Sequence, residues 1–357
     1  MKKILAVVLA LSMLLGMCAV ASAEGKALVS WYTFGDVYLT SVRTALDAAF
    51  ADKGITVTDK DSNAIQTTQT DDINTAVLIG TDALVINLVE SGSLSVAQSL
   101  LDVAKGANLP AVFFNRAVST DNDAAGAMFL GYEKSAFIGT KFEEAGQMQG
   151  TMIGQYVLEH YDEIDLNKDG VISYVMFKGD DANQEAILRT KYGVENADAI
   201  LTAAGKPALK FYDDNNANKY LVDLNGTWSN TASYEYMGTI LSQYNESNGN
   251  MIELVIANND DMAIGAINYL KTVGYNDGKG KTIPVFGVDA VDAAKAAINA
   301  GEMAGTIKQD AVGMADAVAT ITANLIEGKD KFEGLNENYV VVDGWFVQIP
   351  YAVYTGE

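Results

Sequence analysis

Residues 82–90 read DALVINLVE, and residues 252–260 read IELVIANND. Each is a short apolar run closed by polar residues. Each is followed by a stretch with helical spacing and then by a second run of the same kind, LPAVFFN at 109–115 and IPVFGVD at 283–289. Apolar runs of this length that alternate with helices are strands buried on both faces, so the sheets are parallel and helices cover either side. Because the order recurs in both halves, the chain reads as two α/β lobes. The runs end on Asn87 and Asn115 in the first half and on Asn259 and Asp289 in the second. Open α/β sheets bind ligands at the carboxyl ends of their strands. Asn and Asp also suit strand-end turns for local reasons, but the matched pairs favour one cleft lined by both lobes.

Working outward, strands are predicted at 27–34, 83–88, 111–115, 171–177, 208–212, 252–258 and 283–288. Helices are predicted over 39–50, 96–105, 143–160, 262–272 and 291–300. The chain has 357 residues, 49% apolar and 20% charged, enough for about two domains with a large core. One Cys excludes a disulfide framework and any Cys-rich metal site, and one His excludes a multi-His metal centre. A net charge of −22 argues against a nucleic-acid surface, which needs clustered Lys and Arg.

The first residues form a separate unit. Lys2 and Lys3 precede an apolar run from Ile4 to Leu15, and Ala21-Ser22-Ala23 supplies a small-x-small cleavage pattern. This is the pattern of a secretory signal peptide over residues 1–23, too short to span a bilayer. Cleavage after Ala23 removes two lysines and leaves 334 residues with a net charge of −24. Cys18 offers lipoprotein anchoring as an alternative, although Met17 before it fits a lipoprotein cleavage site poorly. Either route places the protein in the periplasm or on the extracellular face.

Residues 165–173, DLNKDGVIS, repeat the first nine positions of an EF-hand calcium loop. Asp165, Asn167 and Asp169 alternate, Gly170 permits the sharp turn, Val171 offers its carbonyl, and Ser173 is a short oxygen ligand. A standard loop carries a bidentate Glu at position 12, where this chain has Met176. Either the segment is only a polar turn or a distant carboxylate completes the site. Glu253 is the best candidate, because it opens a strand expected beside 171–177.

With INLV (86–89), VFFN (112–115), DLNKDG (165–170), VIANND (255–260) and PVFGVDA (284–290), the sequence resembles the galactose/glucose-binding receptors of bacterial ABC transport. The likeness runs from about residue 29 to 351. It implies a type I periplasmic binding protein fold: two Rossmann-like lobes joined by a three-segment hinge, with sugar held between them. The expected boundaries are 24–140 plus about 309–343 for the first lobe, and 141–308 plus about 344–357 for the second. The resemblance implies structural calcium completed by Glu253. It further implies sugar contacts from Asp36, Tyr38, Asn115, Asn183, Glu185, Arg189, Trp228, Asn259, Asp289 and Gln309. Asn183, Glu185 and Gln309 depart from the usual His, Asp and Asn. Implied partners are a monosaccharide, an ABC permease and, secondarily, a chemotaxis receptor, with the chain a monomer.

These side chains suit a neutral hexose. Planar Asp, Asn and Arg groups can each bind two adjacent hydroxyls, and the C–H faces of a pyranose pack on aromatic rings. In a closed cleft the charge of Arg189 needs a partner, for which Asp36, Glu185 and Asp289 are candidates. Taken singly, Tyr38 and Trp228 could be core aromatics. A receptor for a ribose- or xylose-type sugar is one alternative and a carbohydrate-acting enzyme another. Against the enzyme, no G-x-G-x-x-G, P-loop or G-x-S-x-G element occurs.

Overall fold

The computed structural model describes residues 25–278 and 280–356. The expected signal peptide, its expected cleavage site and Cys18 lie outside the described residues.

The first lobe begins with β1 (Gly25–Trp31), α1 (Val37–Asp52), β2 (Ile55–Asp61), α2 (Gln66–Ile79), β3 (Ala83–Ile86), α3 (Leu94–Gly106), β4 (Ala111–Phe114), α4 (Asn122–Leu130) and β5 (Ser135–Gly139). The chain then enters the second lobe with α5 (Glu144–Glu159), α6 (Tyr161–Ile164), β6 (Ser173–Lys178), α7 (Gln184–Ala203), β7 (Lys210–Phe211), β8 (Leu221–Val222), α8 (Asn230–Leu241), β9 (Leu254–Ala257), α9 (Asp260–Thr272), β10 (Val285–Asp289), α10 (Asp292–Asn299) and β11 (Gly305–Gln309). It returns to the first lobe as α11 (Ala311–Glu327), β12 (Val340–Val342) and β13 (Phe346–Gln348), and ends in the second as β14 (Tyr351–Tyr354).

The sheets have the same winding. One runs β12-β13-β5-β4-β3-β1-β2 and the other β14-β11-β10-β9-β6-β7. From β2 to β5 and from β7 to β11 every pairing is parallel. Each sheet therefore has a switch point beside its first strand, where an open α/β sheet forms a crevice. In the first lobe, α1 and α11 cover one face and α2 to α4 the other. In the second, α8 to α10 cover one face and α5 and α7 the other. The close approach of α5 to α7 depends on Gly146, Gly150 and Gly154, where any Cβ would press into α7.

Two expectations change. Strand β13 pairs with β5 in the first sheet, so the last crossover falls between Gln348 and Tyr351 rather than near 343. Its apolar Phe346 and Val347 are buried in the first lobe, which holds the strand there. Strand β2, ITVTDKD, had no counterpart among the predicted strands. It lies at the sheet edge with one face in water, so its residues alternate instead of forming an apolar run.

Candidate functional site

The carboxyl ends of the two sheets face each other. Between them is a small cavity of about 30 Å³ lined by Asp36, Tyr38, Asn115, Arg116, Asn183, Glu185, Arg189, Trp228, Asn259, Asp289 and Gln309. All ten side chains assigned to a ligand from the sequence are thus brought together, with Arg116 added. Local folding puts them there. Asp36, Asn183 and Asn259 are the N-caps of α1, α7 and α9, and each accepts a backbone N–H from its own first turn. Asn115, Asp289 and Gln309 stand at or just after the ends of β4, β10 and β11.

Arg189 is the electrostatic centre. It is 2% exposed. Its Nη1 donates to the Asn258 carbonyl at 2.9 Å and lies 3.9 Å from Asp289 Oδ1. Its Nη2 donates to Gln309 Oε1 and Tyr351 Oη, both at 3.0 Å, and to Glu185 Oε2 at 3.4 Å. Glu185 and Asp289 are therefore its carboxylate neighbours, and Asp36 is engaged elsewhere, by Tyr32 Oη at 2.8 Å and Leu39 N at 2.9 Å. Burial acts to lower the Arg189 pKa, but Tyr351, Glu185 and Asp289 outweigh it and hold the guanidinium above the ordinary arginine range. Burial pushes Asp289 well above the usual carboxylate range, and Arg189 opposes that shift. Burial raises Asp36 too.

Residues that sequence reasoning missed tie this centre to the hinge. Tyr351 Oη and Thr140 Oγ1 both donate to Glu185 Oε1, at 3.1 and 2.6 Å. Thr140, Gln309 and Tyr351 stand one on each of the three crossovers, so α7 is bonded to all of them through Glu185 and Arg189. Arg116 Nε and Nη2 donate to the carbonyls of Leu88 and Val89, its guanidinium lies 4.0 Å over the Tyr32 ring, and Nη2 reaches Asp180 Oδ2 across the cleft at 3.2 Å. Asn183 also crosses the cleft, donating to Ser91 Oγ at 3.1 Å. Its side chain therefore caps a helix and bridges the lobes, with both ends engaged. Arg116 directly follows Asn115, so a cation at a strand end was a readable signal. Thr140 and Tyr351 carry no motif.

Four buried atoms in the cavity have no partner: Tyr38 Oη, Arg189 Nε, Trp228 Nε1 and Gln309 Nε2. They are half of the eight such side-chain atoms among the described residues. Buried polar atoms are normally satisfied, and each left unpaired costs about 1–3 kcal/mol. Four together, three of them obligate donors, describe a site shaped for oxygen acceptors. Tyr38 and Trp228 reach the cavity from different lobes. Trp228 adopts a left-handed φ of 58°, rare for a bulky residue, and packs so tightly on Gly179 that a Cβ there would collide with the indole.

Residues 27–330 match the family model of a periplasmic binding protein domain. The chain belongs to the periplasmic binding protein family. A D-galactose/methyl-galactoside binding periplasmic protein of Haemophilus influenzae is 33% identical over 315 residues, covering 88% of this chain and 85% of that protein. A galactofuranose-binding protein of known structure superposes with a TM-score of 0.69 at 19% identity, over 93% and 94% of the two chains. A myo-inositol-binding protein of Caulobacter gives 0.68 at 18%, with the same coverage. These receptors share the two-lobed fold, and at the level of the family they are binding proteins of transport.

The 165–173 loop lies at the opposite end of β6 from this cavity, roughly 20 Å away for a six-residue strand. Strands β6 and β9 are neighbours, and Glu253 is fully buried against the loop. Its Oε1 accepts from Leu166 N at 2.7 Å and Asn167 N at 3.3 Å, and its Oε2 from Ser173 N at 2.9 Å. Asp165 Oδ2 accepts from Gly170 N at 2.9 Å, while Asp165 Oδ1 is buried with no partner. Asp169 turns its carboxylate onto Val171 N and Asn167 Nδ2. Among the described residues no group of three or more His, Cys, Asp or Glu side chains gathers as a metal site. A cation here would be held by Asp165, Asp169 and Glu253 with neutral oxygens from Asn167, Val171 and Ser173.

Proposed function

We propose that this protein is an extracytoplasmic receptor that captures a monosaccharide of the D-galactose or D-glucose type, closes around it and presents it to an ABC permease. The observation that carries this reading is the set of four unpaired buried polar atoms in a cavity walled by two aromatic rings from opposite lobes. A hexose supplies hydroxyl oxygens for the donors and C–H faces for the rings. The galactoside-binding relative from Haemophilus supports the hexose assignment, and a chemotaxis receptor is a secondary partner by family likeness. Among the described residues no helix is long and apolar enough to cross a membrane. Calorimetry and thermal shift with D-galactose, D-glucose, D-ribose, D-xylose and myo-inositol test the assignment. Ligand at about 100 times its Kd stabilises by about 2.7 kcal/mol. A response to ribose or xylose alone would replace the hexose, and silence across the panel would remove the sugar reading.

Closure has its own test. Asp36, Tyr38 and Asn115 belong to the first lobe, and Arg189, Trp228 and Asp289 to the second, so a sugar gains all its contacts only when the lobes meet. Its differential affinity for the two states then drives closure. Saturating sugar is expected to reduce the radius of gyration in solution scattering, and Asp289→Ala to abolish that reduction at the same concentration. Identical wild-type profiles with and without bound sugar would exclude the clamshell mechanism.

The 165–173 loop with Glu253 is assigned to structural calcium. The unpaired Asp165 Oδ1 fits a cation, as does an all-oxygen donor set. Distance from the cavity makes the role one of stability. A chelator is expected to lower the melting temperature, and Glu253→Gln to reproduce most of that loss with calcium present. A melting curve indifferent to chelation would leave the loop as a turn.

A further inference from the structure

We propose that Asp260 is a positioning residue for the cavity: it holds the Asp289–Ala290 turn in the conformation that aims Asp289 at the ligand. This rests on the reading that Asp289 contacts the sugar. Asp260 opens α9 and is fully buried, yet it is not among the residues lining the cavity and faces the end of β10. Its Oδ2 accepts from Val291 N at 2.9 Å, and its Oδ1 accepts from Thr306 Oγ1 at 2.6 Å. Thr306 stands on β11, directly beside Gly287 of β10. A Cβ at Gly287 would collide with Asp260 Oδ1, so a glycine makes the room that the carboxylate occupies.

The turn it grips is strained. Asp289 has a φ of 123° and Ala290 a φ of 58°, two consecutive residues other than glycine in left-handed space. Such residues persist only where their surroundings over-determine them. The Val291 N–H, held by Asp260, is the next backbone donor after the strained pair. An acid at the start of a helix also favours the helix dipole, but an exposed side chain would serve that purpose. Here the carboxylate is desolvated and spans three elements, α9, β11 and the segment after β10.

Asp260→Ala is expected to weaken D-galactose binding at least about tenfold, the scale of coupling between residues in one network. Asp260→Asn should restore most of it. Its Oδ1 can still accept from Val291 N–H, while its Nδ2 donates to the Thr306 hydroxyl. In an Asp289→Ala background Asp260→Ala should add little, because Asp260 acts through Asp289. Equal losses in both backgrounds, or wild-type affinity in Asp260→Ala, would overturn the assignment while leaving the sugar reading intact. Wild-type affinity in Asp289→Ala would instead remove Asp289 from the sugar contacts, and the assignment with it. If Asp260→Ala does not fold, Thr306→Val removes one of the two bonds and should show the same non-additivity. A crystal structure of the sugar-free variant decides independently of any ligand: Asp289 should leave positive φ, and an unaltered 289–291 turn would refute the inference.

Discussion

Arg189→Ala is expected to abolish sugar binding and to cost the fold about 3–5 kcal/mol, the range for removing one partner of a buried ion pair. The size follows from what is stranded. Glu185 and Asp289 lose the only cation close to them among the described residues, in an interior where each is about 95% buried. The Asn258 carbonyl, Gln309 Oε1 and Tyr351 Oη each lose a donor. Because Tyr351 and Glu185 hold Thr140, the loss extends to all three crossovers. Arg189→Lys should fall between, since one ammonium cannot reach these acceptors from a planar fork. Denaturant midpoints measured without sugar separate the structural cost from the binding cost. An Arg189→Ala protein with the wild-type midpoint and affinity would contradict the network described here.

Much of this arrangement was readable before the structure because its causes are local. A parallel strand covered on both faces must be apolar along its length, so β3, β4, β9 and β10 announce themselves. A polar residue at the end of such a strand is placed in the crevice by topology alone. Residues whose role is set by tertiary contact are another matter. Strand β11, GTIKQ, and strand β5, SAFIG, mix glycine and polar residues with apolar ones, so no continuous apolar run marks them. Tyr351 reaches Arg189 from 162 positions away, and nothing in IPYAVY marks it. Asp260 reads as an ordinary helix-start acid until β11 is in place beside it. Asn183 and Asn259 illustrate the converse. Both line the cavity as expected, yet their amides bond to Ala186 and Ser91, and to Met262 and the Trp228 carbonyl. Each amide still keeps a second N–H and a second oxygen lone pair beyond these bonds.

Trp228→Ala is expected to weaken hexose binding by about 2–4 kcal/mol, as for a buried aromatic anchor, with the fold intact. Three features separate this tryptophan from a core residue. Its backbone is held at a left-handed φ of 58°, which an alanine would have to share, so Trp228→Ala removes the ring while leaving the backbone demand in place. Its Nε1 is buried without an acceptor, which a core tryptophan avoids. Its ring lies 5.7 Å from the Arg189 guanidinium, so ring and charge border the same space. Trp228→Phe divides the effect: it keeps an aromatic face but removes the N–H. If stacking dominates, Phe should recover most of the affinity; if the N–H carries the contact, Phe should bind almost as poorly as Ala. Unchanged affinity in both variants would place Trp228 outside the binding surface and leave Tyr38 as its only aromatic face.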